Sequence, residues 1–351
     1  MANIAQAIRL ALHVGETKLG VTDVFGEDVG PPLGGVFTAT QGLRTAWNSP
    51  LDERGIIGTA MGLALAGQRC VAEIQFCDYI YNTIDLLKLA GNARWSCVGQ
   101  FELPMVVMTP VGSGIHGSLY HSHSFDAVMT HLPGWKIVLP STPLDCYGLM
   151  ISAIKDPNPV MFLYPKALIR TQGKEKIPGE PDSPRELSKM IDAPLGDRSA
   201  WTPRWPELPD FEIPIGEAKL LKPGTDLTVV SYGRMAPISL AAATKLEEEG
   251  ISAEVIDLRS LHPYDWPAVV ASVKKTRRFL QVNEDTEITN FGEHLVRRVT
   301  EELFYELEAP PRVLAGEAVP GIGLAWPLER ASVPQQEDVE AEIRQLARTY
   351  A

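Results

Sequence analysis

Residues 104–165 read PMVVMTPVGSGIHGSLYHSHSFDAVMTHLPGWKIVLPSTPLDCYGLMISAIKDPNPVMFLYP. Three short apolar runs, at 104–112, 135–140 and 159–165, alternate with two stretches of helical pattern, at 124–132 and 143–156. Runs that are apolar on both parities fit strands covered on both faces. A strand, helix, strand order supplies the crossover that parallel pairing needs. This stretch therefore predicts an α/β fold built on a parallel sheet.

The same alternation extends upstream. Residues 21–30 (VTDVFGEDVG) read as a strand running into a glycine-rich loop. Residues 52–67 read as a helix capped by Asp52 and stopped at Gly67. A strand over 69–76 and a helix over 78–95, with Ile80, Ile84, Leu87 and Gly91 on one face, complete the first block. From about Thr171 the composition shifts to Pro, Gly, Asp and Glu, with one weak helical piece near Arg185 to Ile191. A second alternation follows, with strands at TDLTVVSYG, SAEVIDLRSL, RFLQVNED and PRVLAGEAV and a terminal helix at PQQEDVEAEIRQLARTY. The expected organisation is a first α/β domain over 1–170, a surface linker over 171–214, and a smaller α/β domain over 215–351.

The formal charge is −12, which argues against nucleic acid or an anionic membrane as partner. No apolar run approaches bilayer length, and the first residues lack the pattern of a secretory signal. Four scattered cysteines without a CxxC pair fit a cytoplasmic setting and give no zinc signature.

Chemistry-bearing residues stand where elements meet. Glu27 and Asp28 follow the first strand, and Glu53 opens a helix, where the helix dipole favours a carboxylate. Capping alone accounts for Glu53, and a turn accounts for Glu27. Loops beyond the C-terminal ends of parallel strands are nonetheless where α/β proteins place ligands. In EIQFCDY, Glu73, Gln75, Cys77 and Tyr79 share one parity, and Tyr79 offers an aromatic plane. Gly112, Gly114 and Gly117 precede LYHSHSFD, in which His121 and His123 are two residues apart. On an extended strand these would face the same way, so a metal site, with His116 or His131 added, is one reading; proton chemistry at one of them is another. No P-loop, HExxH, GxSxG or well-placed GxGxxG is present.

Taken in order, FGEDVG, GGVFTATQGL, SPLDERGIIGTAMGLALAG, VAEIQFCDYIYNTID, YHSHSFDAVMTHLPGWKIVLPSTP and AEVIDLRSLHPYD resemble the β subunit of two-subunit, thiamine-diphosphate-dependent 2-oxo acid dehydrogenases. The likeness runs from Val21 to about Val319. It implies a transketolase-type pyrimidine-binding domain with a parallel sheet, followed by a smaller α/β transketolase C-terminal domain. It also implies an α subunit that grips the diphosphate and magnesium, and an assembly of two α and two β chains. No diphosphate motif is expected in this chain. By resemblance, Glu53 activates the pyrimidine, Glu27 lies beside it, Gln75 and Tyr79 line the ring, and Leu51 gives a main-chain contact. His121 matches the family's active-site histidine, which handles protons and assists acyl transfer to a lipoyl transacylase core. Asp156 and Asn158 match ligands of a structural potassium ion.

The chain departs from the pattern at His123 (usually Gln), Met108 (usually Arg), Asn48-Ser49-Pro50 (often Asp-Thr-Pro) and Asn283-Glu284 (usually His-Glu). The Asp78-Tyr79 and Tyr120-His121 pairs look most like branched-chain relatives. The implied substrate is therefore 3-methyl-2-oxobutanoate, with a pyruvate or acetoin dehydrogenase β subunit, or a non-catalytic scaffolding subunit, as alternatives.

Overall fold

The structure is a computed structural model that describes residues 1–198 and 200–349. Tyr350, counted in the expected terminal helix, lies outside the described residues, as does Ala351 at the end of the expected second domain. The elements in chain order are α1 (Ile4–Lys18), β1 (Val21–Gly26), β2 (Ala46–Asn48), α2 (Glu53–Leu65), β3 (Arg69–Glu73), α3 (Ile84–Ser96), β4 (Met105–Val111), α4 (Asp126–Thr130), β5 (Lys136–Val138), α5 (Pro143–Lys155), β6 (Val160–Pro165) and α6 (Pro184–Ile191). They continue with β7 (Lys219–Lys222), β8 (Leu227–Ser231), α7 (Met235–Leu246), β9 (Ala253–Asp257), β10 (Ser260–His262), α8 (Trp266–Thr276), β11 (Phe279–Thr286), α9 (Phe291–Leu303), β12 (Arg312–Gly316), α10 (Trp326–Ser332) and α11 (Gln336–Arg348).

The chain forms two compact units. The first comprises residues 1–110, 132–164 and 168–215; the second comprises 111–131, 165–167 and the chain from Gly216 onward. The glycine-rich loop that carries His121 thus packs with the second unit, although it lies inside the expected 1–170 domain.

In the first unit the strand order is β5-β6-β4-β3-β1-β2. The pairs β1–β2, β1–β3, β3–β4 and β5–β6 are parallel. β4 and β6 are buried along their whole length, as expected for central strands covered on both faces. α1 has no counterpart in the sequence reading. Its cue is a capping box, Asn3 with Gln6, each side chain accepting from the other's main-chain N–H. α1 is buried without a break from Ile4 to Leu12, the polar Gln6 and Arg9 included. It packs on α5, and a Cβ on Gly15 would lie 2.9 Å from Ile154 Cδ1. At α2, Asp52 occupies the N-cap position but makes no side-chain capping hydrogen bond, contrary to expectation. The expected helix over 78–95 begins as a 3₁₀ segment, Cys77–Thr83, before α3.

The proline-rich segment after Thr171 is a strap on the first unit. Ser183 caps α6. The Gln6 amide donates to Ser188 Oγ (3.1 Å) and Asp192 Oδ2 (2.9 Å). Arg9, 1% exposed, donates to the main-chain oxygens of Ile191 (2.7 Å) and Thr38 and pairs with Asp192. Burying a guanidinium is tolerable only with its donors satisfied, so these bonds fix α6 against α1. Further along, Trp205 stacks on His13 at 4.0 Å, Tyr147 donates to Pro209 O, and Ser152 donates to Ile213 O. Gly148 makes room there, because a Cβ would lie 2.6 Å from Ile213 Cγ1.

In the second unit the order is β12-β11-β8-β9-β7. β11–β12, β8–β11 and β8–β9 are parallel, whereas β7 runs antiparallel to β9. That edge strand falls outside the sequence alternation, because β7 is short and only partly buried. Asp265 caps α8 and Asn290 caps α9 through their side chains. No helix among the described residues is long and apolar enough to cross a membrane.

Candidate active site

Parallel pairing gathers one set of residues at the C-terminal ends of β1, β2 and β3. Gly26, the last residue of β1, lies opposite Asn48 of β2 and Glu73 of β3. The residues that follow each strand therefore emerge together: Glu27 and Asp28, then Glu53 at the start of α2, then Gln75 to Tyr79. A Cβ on Gly26 would lie 2.3 Å from Glu73 O, so this approach needs glycine. Asn48 accepts from Gly30 N (2.6 Å) and donates to Pro31 O (3.1 Å). An ionised Asp, the usual residue here, accepts only and could not make the second bond.

Within this cluster Glu27 is half-buried. Its Oε1 is shielded from solvent and has no hydrogen-bond partner among the described residues. Burial pushes the Glu27 carboxyl above its ordinary range, and the negative charges of Glu53 and Asp28 push the same way. Burial also raises the Tyr79 phenol, helped by Asp78, Glu27 and Glu53. Gln75 Nε2 donates to Asp28 Oδ2 at 3.0 Å, and Asn82 Nδ2 lies 3.5 Å from Glu53 Oε2. Phe76 meets Tyr79 edge-on at 5.9 Å and Phe37 in the same manner. Leu51 is 81% exposed just before α2. Asp28 sits at φ 57°, a left-handed conformation that Asp tolerates better than most residues and that marks functional junctions. Glu27, Glu53, Gln75 and Tyr79 are thus brought together at these strand ends. Asn82 was missed, because nothing in the sequence ties it to Glu53.

The second unit presents the histidine loop. Residues 112–125 are irregular, not a strand, so the rule that placed His121 and His123 on one face does not apply. His121 N donates to Ser118 O, and Gly112 N donates to His123 O at 2.8 Å. His116 and Ser118 have φ of 56° and 65°, and two strained non-glycine residues in one loop point to function. Gly117 packs against His121, where a Cβ would lie 2.6 Å from His121 Cβ. No group of three or more His, Cys, Asp or Glu among the described residues could hold a metal ion.

Asp156 and Asn158 close the α5–β6 turn. Asn158 donates from N and Nδ2 to Asp156 Oδ1, and Lys136 pairs with Asp156 Oδ2. Arg94 donates to Asn158 Oδ1 at 3.2 Å. Each side chain faces a positive group, Lys136 for Asp156 and Arg94 for Asn158.

Comparison with known proteins shows the family. The family described as transketolase, pyrimidine binding domain, matches residues 2–172, and transketolase, C-terminal domain, matches 216–339. The 2-oxoisovalerate dehydrogenase subunit beta of Bacillus subtilis (strain 168) is 34% identical, covering 97% of each chain. The pyruvate dehydrogenase E1 component subunit beta of Acholeplasma laidlawii is 37% identical, over 98% of this chain and 96% of its own. Among solved structures, a "split gene transketolase, inactive beta4 tetramer" superposes with a TM-score of 0.69 at 19% identity, covering 99% and 98% of the two chains. That last likeness speaks for the fold alone.

Proposed function

We propose, from the premise that the chain belongs to the transketolase family as a β subunit of the 2-oxo acid dehydrogenase kind, that it works with an α subunit to decarboxylate a branched-chain 2-oxo acid. The observation that carries this reading is the buried, unpartnered Glu27 Oε1 beside Glu53 and the Tyr79 ring. Such an oxygen awaits a donor, and an aminopyrimidine brings N–H groups on a flat ring. The residues therefore fit thiamine diphosphate, which supplies when bound an acidic ring carbon and an electron sink for the decarboxylation.

The chain's own groups divide the work. Glu53, in the first turn of α2, exchanges a proton at its carboxylate oxygen. Glu27, whose carboxyl is pushed upward by burial and by its acidic neighbours, offers Oε1 as acceptor to a ring N–H. The Tyr79 ring gives an apolar plane for stacking. Gln75 orients Asp28 at the mouth of the cluster, and Leu51 offers its main chain. His121 holds a proton at an imidazole nitrogen for the acyl-transfer step. In the net reaction the carbon–carbon bond to the carboxyl group breaks and carbon dioxide leaves. The two electrons reduce the lipoyl disulfide, one sulfur taking the acyl group and the other a proton.

The α chain is assigned the diphosphate and magnesium, in an assembly of two α and two β chains docked to a lipoyl transacylase core, in a cytoplasmic setting. The Asp78-Tyr79 and Tyr120-His121 pairs favour the branched-chain substrate. Relatives of both substrate types stand at similar identity, so the assay must decide. Co-expressed with its α partner, the chain is expected to turn over 3-methyl-2-oxobutanoate at least about tenfold more efficiently than pyruvate, the scale of discrimination a few methylenes provide. Faster turnover of pyruvate or acetoin would replace the substrate assignment, and no turnover of any of them, with no cofactor bound, would leave a scaffolding subunit.

A potassium ion at Asp156 and Asn158 would compete with Lys136 and Arg94, which already pair with their side chains. Replacing potassium with choline at constant ionic strength should leave the thermal midpoint of the purified chain within about 1 °C, since Lys136 and Arg94 already satisfy the side chains. A larger drop reversed by potassium would restore a strong site there.

A further inference from the structure

The histidine loop is gripped by two acidic residues that lie far away in sequence. Glu284, near the end of β11, accepts from both Ser113 N and Ser113 Oγ at 3.1 Å. Arg234 stands 3.4 Å from the same oxygen. Gly112, at φ +84°, lies so close that a Cβ would be 2.1 Å from Glu284 Oε1. Glu329, on α10, is 2% exposed. Its Oε1 accepts from Gly114 N at 2.6 Å, and its Oε2 accepts from His116 N at 3.2 Å and pairs with His116 Nδ1 at 2.5 Å. His116 also meets Trp326 edge-on. At the far end of the loop, Asp285 accepts from Ala127 N at 3.2 Å and Tyr232 donates to Asp126 at 2.7 Å. Asn283, where relatives carry His, accepts from Asp285 N and donates to Gln281 and Asn290, so it braces the strand end that carries Glu284 and Asp285.

A carboxylate that accepts main-chain N–H groups makes strong, directional bonds in a dry site. Here two of them hold the loop at Gly112 to His116, just before the tight Gly117–His121 packing and through the strained residues His116 and Ser118. Glycines supply no side chains to fix such a loop, so the geometry must be imposed from outside it. We infer that Glu329 and Glu284 are positioning residues that set the loop bearing His121. This rests on the reading of His121 as the proton-handling histidine.

The test uses Glu329→Ala, Glu329→Gln, His121→Ala and the Glu329→Ala/His121→Ala double variant. Amide exchange over residues 111–125 of the full chain needs neither partner nor cofactor, and Glu329→Ala should speed it about tenfold. In the complex with α, overall turnover should fall about tenfold or more with KM within about twofold. Added to His121→Ala, the Glu329 substitution should cost less than about twofold, because its effect runs through the histidine. Glu329→Gln keeps an acceptor for Gly114 and should recover part of both losses; it also serves if the alanine variant does not fold. Unchanged exchange and turnover in Glu329→Gln and Glu329→Ala, or losses that multiply in the double variant, overturn the inference. Wild-type turnover in His121→Ala overturns the reading of the histidine instead, while the exchange result still reports on the grip.

Discussion

Glu53→Gln is expected to lower turnover of the assembled complex by about 10²–10⁴-fold, the range of a lost general acid–base group. Gln keeps the size and one acceptor oxygen but can neither take nor give a proton. Its amide can still meet Asn82, which lies 3.5 Å from the Glu53 carboxylate, so α2 and the strand ends should stay as they are. Cofactor affinity, read by calorimetry, should change far less than turnover. Deuterium exchange at the thiazolium carbon of bound cofactor, followed by NMR, reports the same step directly. Wild-type turnover in the variant would falsify the role given to Glu53 and shift the proton work to Glu27, whose buried Oε1 has no hydrogen-bond partner among the described residues.

Glu73→Gln should change the pH dependence of stability more than any other single substitution in the first unit. Glu73 is fully buried at the end of β3, with the Tyr164 hydroxyl donating to it at 3.2 Å. Burial pushes its carboxyl up to about 8 from an ordinary 4.5, and the Tyr164 bond offsets this only in part. Between those two values the folded chain holds a proton that the unfolded chain has released. Stability therefore falls as pH rises through that window, on the order of 1.4 kcal/mol per pH unit for this one group, and is flat on either side. Gln has no proton to lose and still accepts from Tyr164. Its thermal midpoint relative to wild type should rise steadily from pH 5 to pH 8 and then level off. Unfolding curves at pH 5, 6.5 and 8 check this; a constant offset between the two proteins would show that Glu73 is ionised in the fold.

Part of the candidate site sits at local punctuation that the sequence shows. Glu27 follows the strand signal and Glu53 opens a helix, whereas Gln75 falls inside the strand expected over 69–76, which in the fold ends at Glu73. Parallel strands that end at one edge bring such residues together without any further information. Glu73 was noted only by parity. Its burial depends on β6, which supplies Tyr164 after another ninety residues of chain. Sequence alone leaves two readings open for His121 and His123, because a glycine-rich loop has no period from which orientation can be read. The grip of Glu284 and Glu329 left no local mark at all.

The sequence by itself determined the α/β class and the alternation of strands and helices, which rest on period, capping and turn chemistry acting within a few residues. The roles given to Glu27, Glu53, Tyr79 and His121 rest on the resemblance of their motifs to those of transketolase-type β subunits. Only the tertiary structure decided that α1 is buried from Ile4 to Leu12, that residues 183–192 strap the first unit through Arg9 and Gln6, that β7 runs antiparallel, and that the side chains of Asp156 and Asn158 face Lys136 and Arg94. Each of these is a pairing of polar groups or faces brought together by distant parts of the chain. Burial makes an unpaired donor or charge costly, so the fold selects such partners in space, where no local pattern records them.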